Sequence, residues 1–145
     1  MKKIILGSDH GGYELKQKIL GFLSDNYSEY EIEDLGCDSS DSCNYPIFGK
    51  AVAKKVAEEG CLGIVICGSG VGISIAANRM NGARAVLANS VELATLGRQH
   101  NGANILSMGE RTQFIDSWEE IVNAFLTTDI DLSERHQLRR DMLDQ

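Results

Sequence analysis

The sequence predicts a three-layer α/β domain in which helices flank a five-stranded parallel sheet. Three observations lead there. Short β-rich runs alternate with longer amphipathic segments along the 145 residues. The run Ile64-Val65-Ile66 is apolar at successive positions, as a strand covered on both faces must be. Glycine-rich or polar loops follow the strands, where open parallel sheets keep their binding groups.

The elements follow in order. Residues 2–8 read as the first strand. Residues 12–26 read as a helix, with Leu15, Ile19 and Phe22/Leu23 at helical spacing. Residues 30–35 make a second strand, and a polar loop with Asp38, Ser39, Ser40, Asp41 and Ser42 follows. Pro46, the one proline, suits the first turn of a helix reaching Glu59. Residues 62–67 form the third strand and 70–80 a helix; 83–88 form the fourth strand and 91–100 a helix. Asn101-Gly102 is a helix-ending signal. Residues 103–108 complete the sheet, and helices are expected over 114–126 and 133–143. Asp131 and Glu134 suggest a capping box for the last helix. Right-handed βαβ units joined in this way give a Rossmann-like layering.

The length fits a single domain spanning 1–145. A formal charge of −7 disfavours a nucleic-acid surface, because phosphate backbones are held by net basic patches. Positive charge is local instead: Arg135, His136, Arg139 and Arg140 fall close together. No apolar stretch approaches the ~20 residues of a membrane span. The opening Met1-Lys2-Lys3-Ile4-Ile5-Leu6 soon meets Asp9, so it reads as a strand and not a signal peptide, and the chain as cytoplasmic. The cysteines at 37, 43, 61 and 67 lack the short spacing of a zinc site, and a disulfide framework is not expected in the cytosol.

The segment Cys67-Gly68-Ser69-Gly70-Val71-Gly72 is the strongest local signal. Glycines at alternate positions between a buried strand and a helix let backbone N–H groups approach an anion. A thiol just before such a nest is a base or nucleophile beside its electrophilic helper. The plainer alternative is tight packing around a buried cysteine. A dinucleotide fingerprint fits poorly, because the spacing is Gly-x-Gly-x-Gly after the third strand. Asp9-His10 after the first strand suits proton transfer and phosphate contact, or a simple N-cap. His100 closes a helix, where a histidine also complements the dipole. Arg135 and Arg139, four apart, can share a phosphate or form a solvated face.

Taken together, five segments resemble the B-type ribose-5-phosphate isomerases and the related galactose-6-phosphate isomerase subunits. They are Gly7-Ser8-Asp9-His10-Gly11-Gly12, Asn44-Tyr45-Pro46, the stretch from Ile66 to Arg79, Arg98-Gln99-His100-Asn101, and Arg135-His136-Gln137-Leu138-Arg139. They stand in family order from residue 2 to about 143. The resemblance implies that Cys67 moves a proton between C1 and C2 of a sugar phosphate through an enediolate. Gly68, Gly70, Val71 and Gly72 would hold the enediolate oxygen, and Ser69 would pass a proton between O1 and O2. Asp9 and His100 would open the furanose ring. Tyr45 and Asn101 would contact hydroxyls, and His10, Arg111, Arg135 and Arg139 would bind phosphate. No cofactor and no metal are implied. Ser69 stands where many relatives carry Thr, and Asn44 where Asp is usual. Some relatives carry a Glu where Ile73 stands, and isoleucine cannot be a base.

The expected reaction is interconversion of D-ribose 5-phosphate and D-ribulose 5-phosphate, as in the pentose phosphate pathway. The alternatives are the same chemistry on allose 6-phosphate or galactose 6-phosphate, and a non-catalytic phosphate- or nucleotide-binding module. A helix of about ten residues ends ~15 Å from the sheet edge where it began. His100, and with it Arg111, is therefore expected from the twofold partner of a homodimer, alone or in a dimer of dimers, with shared active sites.

Overall fold

A computed structural model describes residues 2–145. Five strands form one parallel sheet: β1 (Lys2–Ser8), β2 (Tyr30–Asp34), β3 (Leu62–Cys67), β4 (Ala85–Leu87) and β5 (Ile105–Gly109), in the order β2-β1-β3-β5-β4. Six α-helices accompany it: α1 (Tyr13–Asn26), α2 (Tyr45–Glu59), α3 (Val71–Asn78), α4 (Val91–Asn101), α5 (Trp118–Thr127) and α6 (Glu134–Leu143). A short 3₁₀ turn, His10–Gly12, leads into α1.

The strand order reverses between β1 and β3, because β1 pairs with β2 on one side and β3 on the other. Their connections leave in opposite directions, so a crevice opens at the carboxyl ends of these two strands. Ser8 pairs with Ile66 there, setting Asp9 and Cys67 side by side beyond the last rung.

Side chains alternate across the sheet. Ile4, Leu6, Ile64 and Ile66 pack with Leu15, Ile19, Ile121 and Phe125 of α1 and α5. Ile5, Val65 and Cys67 face the other way and pack with Val52, Val56 and Ile73 of α2 and α3. The central strands β3 and β5 are covered on both faces and are apolar nearly throughout, whereas the edge strand β2 carries Glu31, Glu33 and Asp34 and stays partly exposed.

Several boundaries differ from the expectation by a residue or two, β5 running Ile105–Gly109 and not 103–108, and some differ for a visible reason. Helix α5 begins at Trp118 and not near 114, because Ser117 accepts the Glu120 N–H at 3.2 Å and caps it. Asp116 meanwhile accepts the Val91 N–H at 2.7 Å, fastening this loop to the start of α4. Strand β4 is only three residues long and lies at the sheet edge. Both backbone groups of Ala85 are taken by the Asn78 side chain, whose Oδ1 accepts at 2.8 Å and whose Nδ2 donates at 3.0 Å. Helix α3 begins after Gly70, whose φ of +76° is left-handed and suits glycine. The expected capping box is absent. Ser133 is the N-cap of α6 without a side-chain bond, and Asp131 accepts the Ser133 N–H at 2.8 Å, closing the turn ahead of the helix.

Periodicity placed Lys16 in an ordinary amphipathic helix, yet it is fully buried. Its ammonium donates to Asp34 Oδ1 at 2.7 Å and to the Cys37 carbonyl at 2.6 Å. A buried charge is tolerated only with such partners. The bonds tie the end of β2 and the loop that follows it to the start of α1. Lys16→Met keeps the volume and loses both bonds. Hydrogen bonds involving a charged group contribute about 1.5–3 kcal/mol, so a loss of that order is expected in urea unfolding. An unchanged midpoint and slope would remove this role.

Candidate active site

Strand β3 delivers Cys67 to the sheet edge almost completely buried. The chain then turns through Gly68, Ser69 and Gly70 into α3. The Gly70 N–H donates to Cys67 Sγ at 3.1 Å, and the Val71 N–H donates to Ser69 Oγ at 3.1 Å. Ser107 lies fully buried beneath the turn, and its hydroxyl donates to the Gly70 carbonyl at 2.7 Å. The nest is therefore fixed from below, while Ser69 is exposed on its rim.

The turn after β1 packs directly against it. Asp9 is buried, its N–H donates to the Ile66 carbonyl at 3.3 Å, and its Oδ1 accepts the Gly12 N–H at 3.2 Å. A β-carbon on Gly12 would stand 2.5 Å from the Ile66 carbonyl oxygen, so only glycine lets the two turns approach. A β-carbon on Gly11 would lie 3.1 Å from Gly68 N and 3.3 Å from Asp9 Oδ1, which sets the carboxylate and the nest on either side of Gly11. Asp9 is thus both the cap of this turn and a carboxylate at the crevice. His10 accepts the Cys43 N–H at Nδ1, 3.2 Å away. In a neutral imidazole so held, the proton sits on Nε2, which can donate to a ligand.

Two more predicted residues join this group. Tyr45 opens α2, and its ring carbons would lie 2.8 Å from a β-carbon on Gly72, so the ring covers the start of α3. The Arg111 N–H donates to the Gly68 carbonyl at 2.9 Å, and its guanidinium Nη1 would lie 3.6 Å from a β-carbon on Gly68. The expectation that Arg111 comes from a partner is corrected here: the chain's own β5 ends beside Cys67, with Gly109 paired to it, and supplies Arg111 two residues later.

His100, Asn101, Arg135 and Arg139 lie elsewhere. Helix α4 runs from the carboxyl edge back to the amino edge, and Asn104 just beyond it accepts the Gly63 N–H near the start of β3. Eleven residues of helix separate these edges by ~16 Å. His100 stacks on His136, ring centroids 4.5 Å apart and planes at 9°. Arg135 and Arg139 are exposed on either side of the buried His136. Burial, followed by the neighbouring His100 and Arg135, pushes the His136 imidazole below its ordinary range, and its Nε2 has no hydrogen-bond partner, with Asp131 Oδ2 3.7 Å away. The Ser133 N–H holds the Asp131 carboxyl below the usual carboxylate range. Arg140 is buried and donates to the His100 carbonyl at 3.2 Å and to Gln137 at 2.9 Å, so it braces the cluster from inside.

Three contributors carry no role in the sequence reading. Ser107 is a hydroxyl in an otherwise apolar strand, and that interruption is its signal. Glu110, between the nest-facing Gly109 and Arg111, accepts the Leu15 N–H at 2.7 Å. Lys16 gives no sequence signal, since only the fold buries it. A hollow of about 490 Å³ beside Asn101 and another of about 530 Å³ at the amino edge are not lined by Cys67. Chemistry locates the site better than volume does. Among the described residues no cluster of His, Cys, Asp and Glu could hold a metal, and all four cysteines are free. The thiol, the backbone donors, a buried carboxylate and one guanidinium together suit proton transfer next to a developing oxyanion.

The family described as ribose/galactose isomerase matches residues 4–143. A ribose-5-phosphate isomerase B of Mycobacterium tuberculosis is 44% identical over 143 residues, covering 97% of this chain and 87% of that protein. One of Escherichia coli is 43% identical over 140 residues, covering 96% and 92%. Among solved structures, ribose-5-phosphate isomerase B of Clostridium thermocellum superposes with a TM-score of 0.91 at 43% identity, covering 98% of this chain and 95% of that one. The type B enzyme of Trypanosoma brucei gives 0.93 at 35% identity, covering 99% and 97%. With sequence, fold and the elements around Cys67 all shared along nearly its whole length, the chain belongs to the ribose/galactose isomerase family.

Proposed function

We infer that this chain is an aldose–ketose isomerase that interconverts D-ribose 5-phosphate and D-ribulose 5-phosphate. The observation that carries it is the Gly70 N–H aimed at Cys67 Sγ inside a glycine nest, with Asp9 and Arg111 at its rim. Relatives named for this reaction at 43–44% identity support the same substrate.

In the proposed mechanism the ring opens first, with Asp9 and His100 moving the proton between the ring oxygen and the anomeric hydroxyl. Cys67 thiolate then takes the proton from C2 of the aldehyde, giving an enediolate. Backbone groups of Gly68, Gly70, Val71 and Gly72 stabilise its oxygen, and Ser69 passes the proton between O2 and O1. The thiol returns its proton to C1, yielding the ketose. Tyr45 and Asn101 hold hydroxyls, while His10, Arg111, Arg135 and Arg139 hold the phosphate. No cofactor enters, because the nest supplies the electrophilic help that a metal would give.

The functional unit in this reading is a cytoplasmic homodimer, or a dimer of dimers, with sites shared across its twofold axis. Val71 and Ile75 on α3, Leu87 on β4, and Leu93 and Leu96 on α4 are exposed apolar side chains. A second copy covering them would bring its His100, Asn101, Arg135 and Arg139 toward this chain's Cys67.

Three outcomes test the reading. Cys67→Ala should lower kcat by about 10²–10⁴, the usual worth of a positioned base, with substrate binding largely kept. Near-normal turnover by the pure variant would reject Cys67 as the base. Arg135→Ala should lower kcat/KM for ribose 5-phosphate by about tenfold or more, given ~1.5–3 kcal/mol for a charged hydrogen bond. If preference over unphosphorylated ribose does not fall, the phosphate assignment is wrong. Finally, mixing inactive Cys67→Ala and His100→Ala chains should restore activity, since each mixed dimer contains one intact site. Absence of recovery after demonstrated subunit exchange would rule out sharing.

A further inference from the structure

Glu110 follows β5 directly, half-buried between Gly109 and Arg111. It makes two bonds in opposite directions. Its N–H donates to the Cys67 carbonyl at 2.9 Å. Its side-chain Oε1 accepts the Leu15 N–H in the first turn of α1 at 2.7 Å. The N-cap of α1 is Gly12, which has no side chain to offer, and Asp9 is engaged one turn earlier with the Gly12 N–H. The carboxylate of Glu110 therefore supplies from across the sheet the acceptor that the local sequence lacks. An ionised acceptor at a helix N-terminus makes a strong, charge-assisted bond.

Glu110 thus grips the strand end that carries the thiol and the helix that extends the Asp9–His10 turn. We propose that Glu110 is a positioning residue that holds Asp9 and His10 in register with Cys67, and that opening of the sugar ring depends on this register. The proposal rests on the isomerase reading above. Removing the side chain leaves Cys67 in place, because the pairing of Cys67 with Gly109 and the Glu110 N–H bond are backbone features. The first turn of α1 loses one anchor, which loosens the Gly12 N–H that holds the Asp9 carboxylate and the turn that carries His10, while the Asp9 N–H bond to Ile66 and the Cys43 N–H bond to His10 remain.

Substrate chemistry gives this a readout. Ribose 5-phosphate is a furanose that must be opened before C2 can be deprotonated. Ribulose 5-phosphate cannot close a furanose, because the oxygen it would need carries the phosphate, so it reaches Cys67 already open. Cys67 can therefore take a proton from C1 of ribulose 5-phosphate, and return one exchanged with solvent, without any ring step. Loss of Asp9 alignment lowers net turnover by the same factor in both directions, as the fixed equilibrium constant requires, and leaves this exchange at C1 to Cys67 and the nest.

The experiment measures kcat/KM for isomerisation and, in deuterated water, the rate at which ribulose 5-phosphate takes up deuterium at C1, for the wild-type chain, Glu110→Ala and Glu110→Gln, with thermal melts to verify folding. Misplacement of this kind should cost Glu110→Ala about tenfold in kcat/KM and no more than about threefold in the exchange rate. Glu110→Gln keeps an oxygen that can accept the Leu15 N–H and should stay within about twofold of wild type in both measurements. Equal losses of turnover and exchange, failure of glutamine to rescue, or full activity of Glu110→Ala would each overturn the positioning role. A wild-type chain that turns over neither sugar phosphate would overturn the isomerase reading, and the proposal with it.

Discussion

The parallel pairing of β1 with β3 is the constraint on which the site depends. Five rungs, from Ile4 with Leu62 to Ser8 with Ile66, bring two strand ends to the same height. The turns beyond them are pressed so closely that Gly12 and Gly11 face Ile66 and Gly68 without room for a side chain. A one-residue slip in this register would turn Cys67 from the α2–α3 face to the other and carry Asp9 away from the nest. The apolar side chains on both faces of β1 and β3 hold the register, so hydrophobic burial fixes the geometry of a polar site.

Around this pair the chain adds supports by hydrogen bonding. Ser107 holds the nest by its carbonyl, Lys16 holds the loop that leads to Cys43, and the Cys43 N–H orients His10. Burial, together with a hydrogen bond to Cys37, keeps the Cys43 thiol above its ordinary range and thus protonated. Preorganisation of this kind matters for catalysis because donors already aimed at a developing charge need not reorganise when it forms.

Much of the fold was legible in the sequence because apolar period and glycine punctuation are local signals. Strand β3 and the nest were placed correctly, since Ile64-Val65-Ile66 and the alternate glycines leave few options. Ser117 as a cap outweighed the apolar run containing Phe114 and Ile115, and so α5 starts later than periodicity suggested. The candidate residues at 9, 10, 45, 67, 69 and 111 gather at one crevice, and those at 100, 101, 135 and 139 gather at the opposite edge. The origin of Arg111 was misjudged because its distance from Cys67 depends on β5 lying next to β3, and strand order is not a local property. Lys16 and Glu110 escaped for the same reason: each acts on a partner far away in sequence, Cys37 or Leu15, that only the folded chain brings near.

The bracket that Asn78 places on Ala85 constrains how copies of this chain can meet. An edge strand usually presents free N–H and C=O groups to any neighbour that can extend the sheet. Here the amide of Asn78 imitates one rung of a missing strand and occupies those groups at Ala85, the first residue of an already short β4. A newcomer would have to displace that amide to gain a ladder of barely three residues. Self-association by sheet extension, the route to open-ended fibres, is thereby blunted, and helix faces are left as the surfaces through which a closed, finite assembly can form.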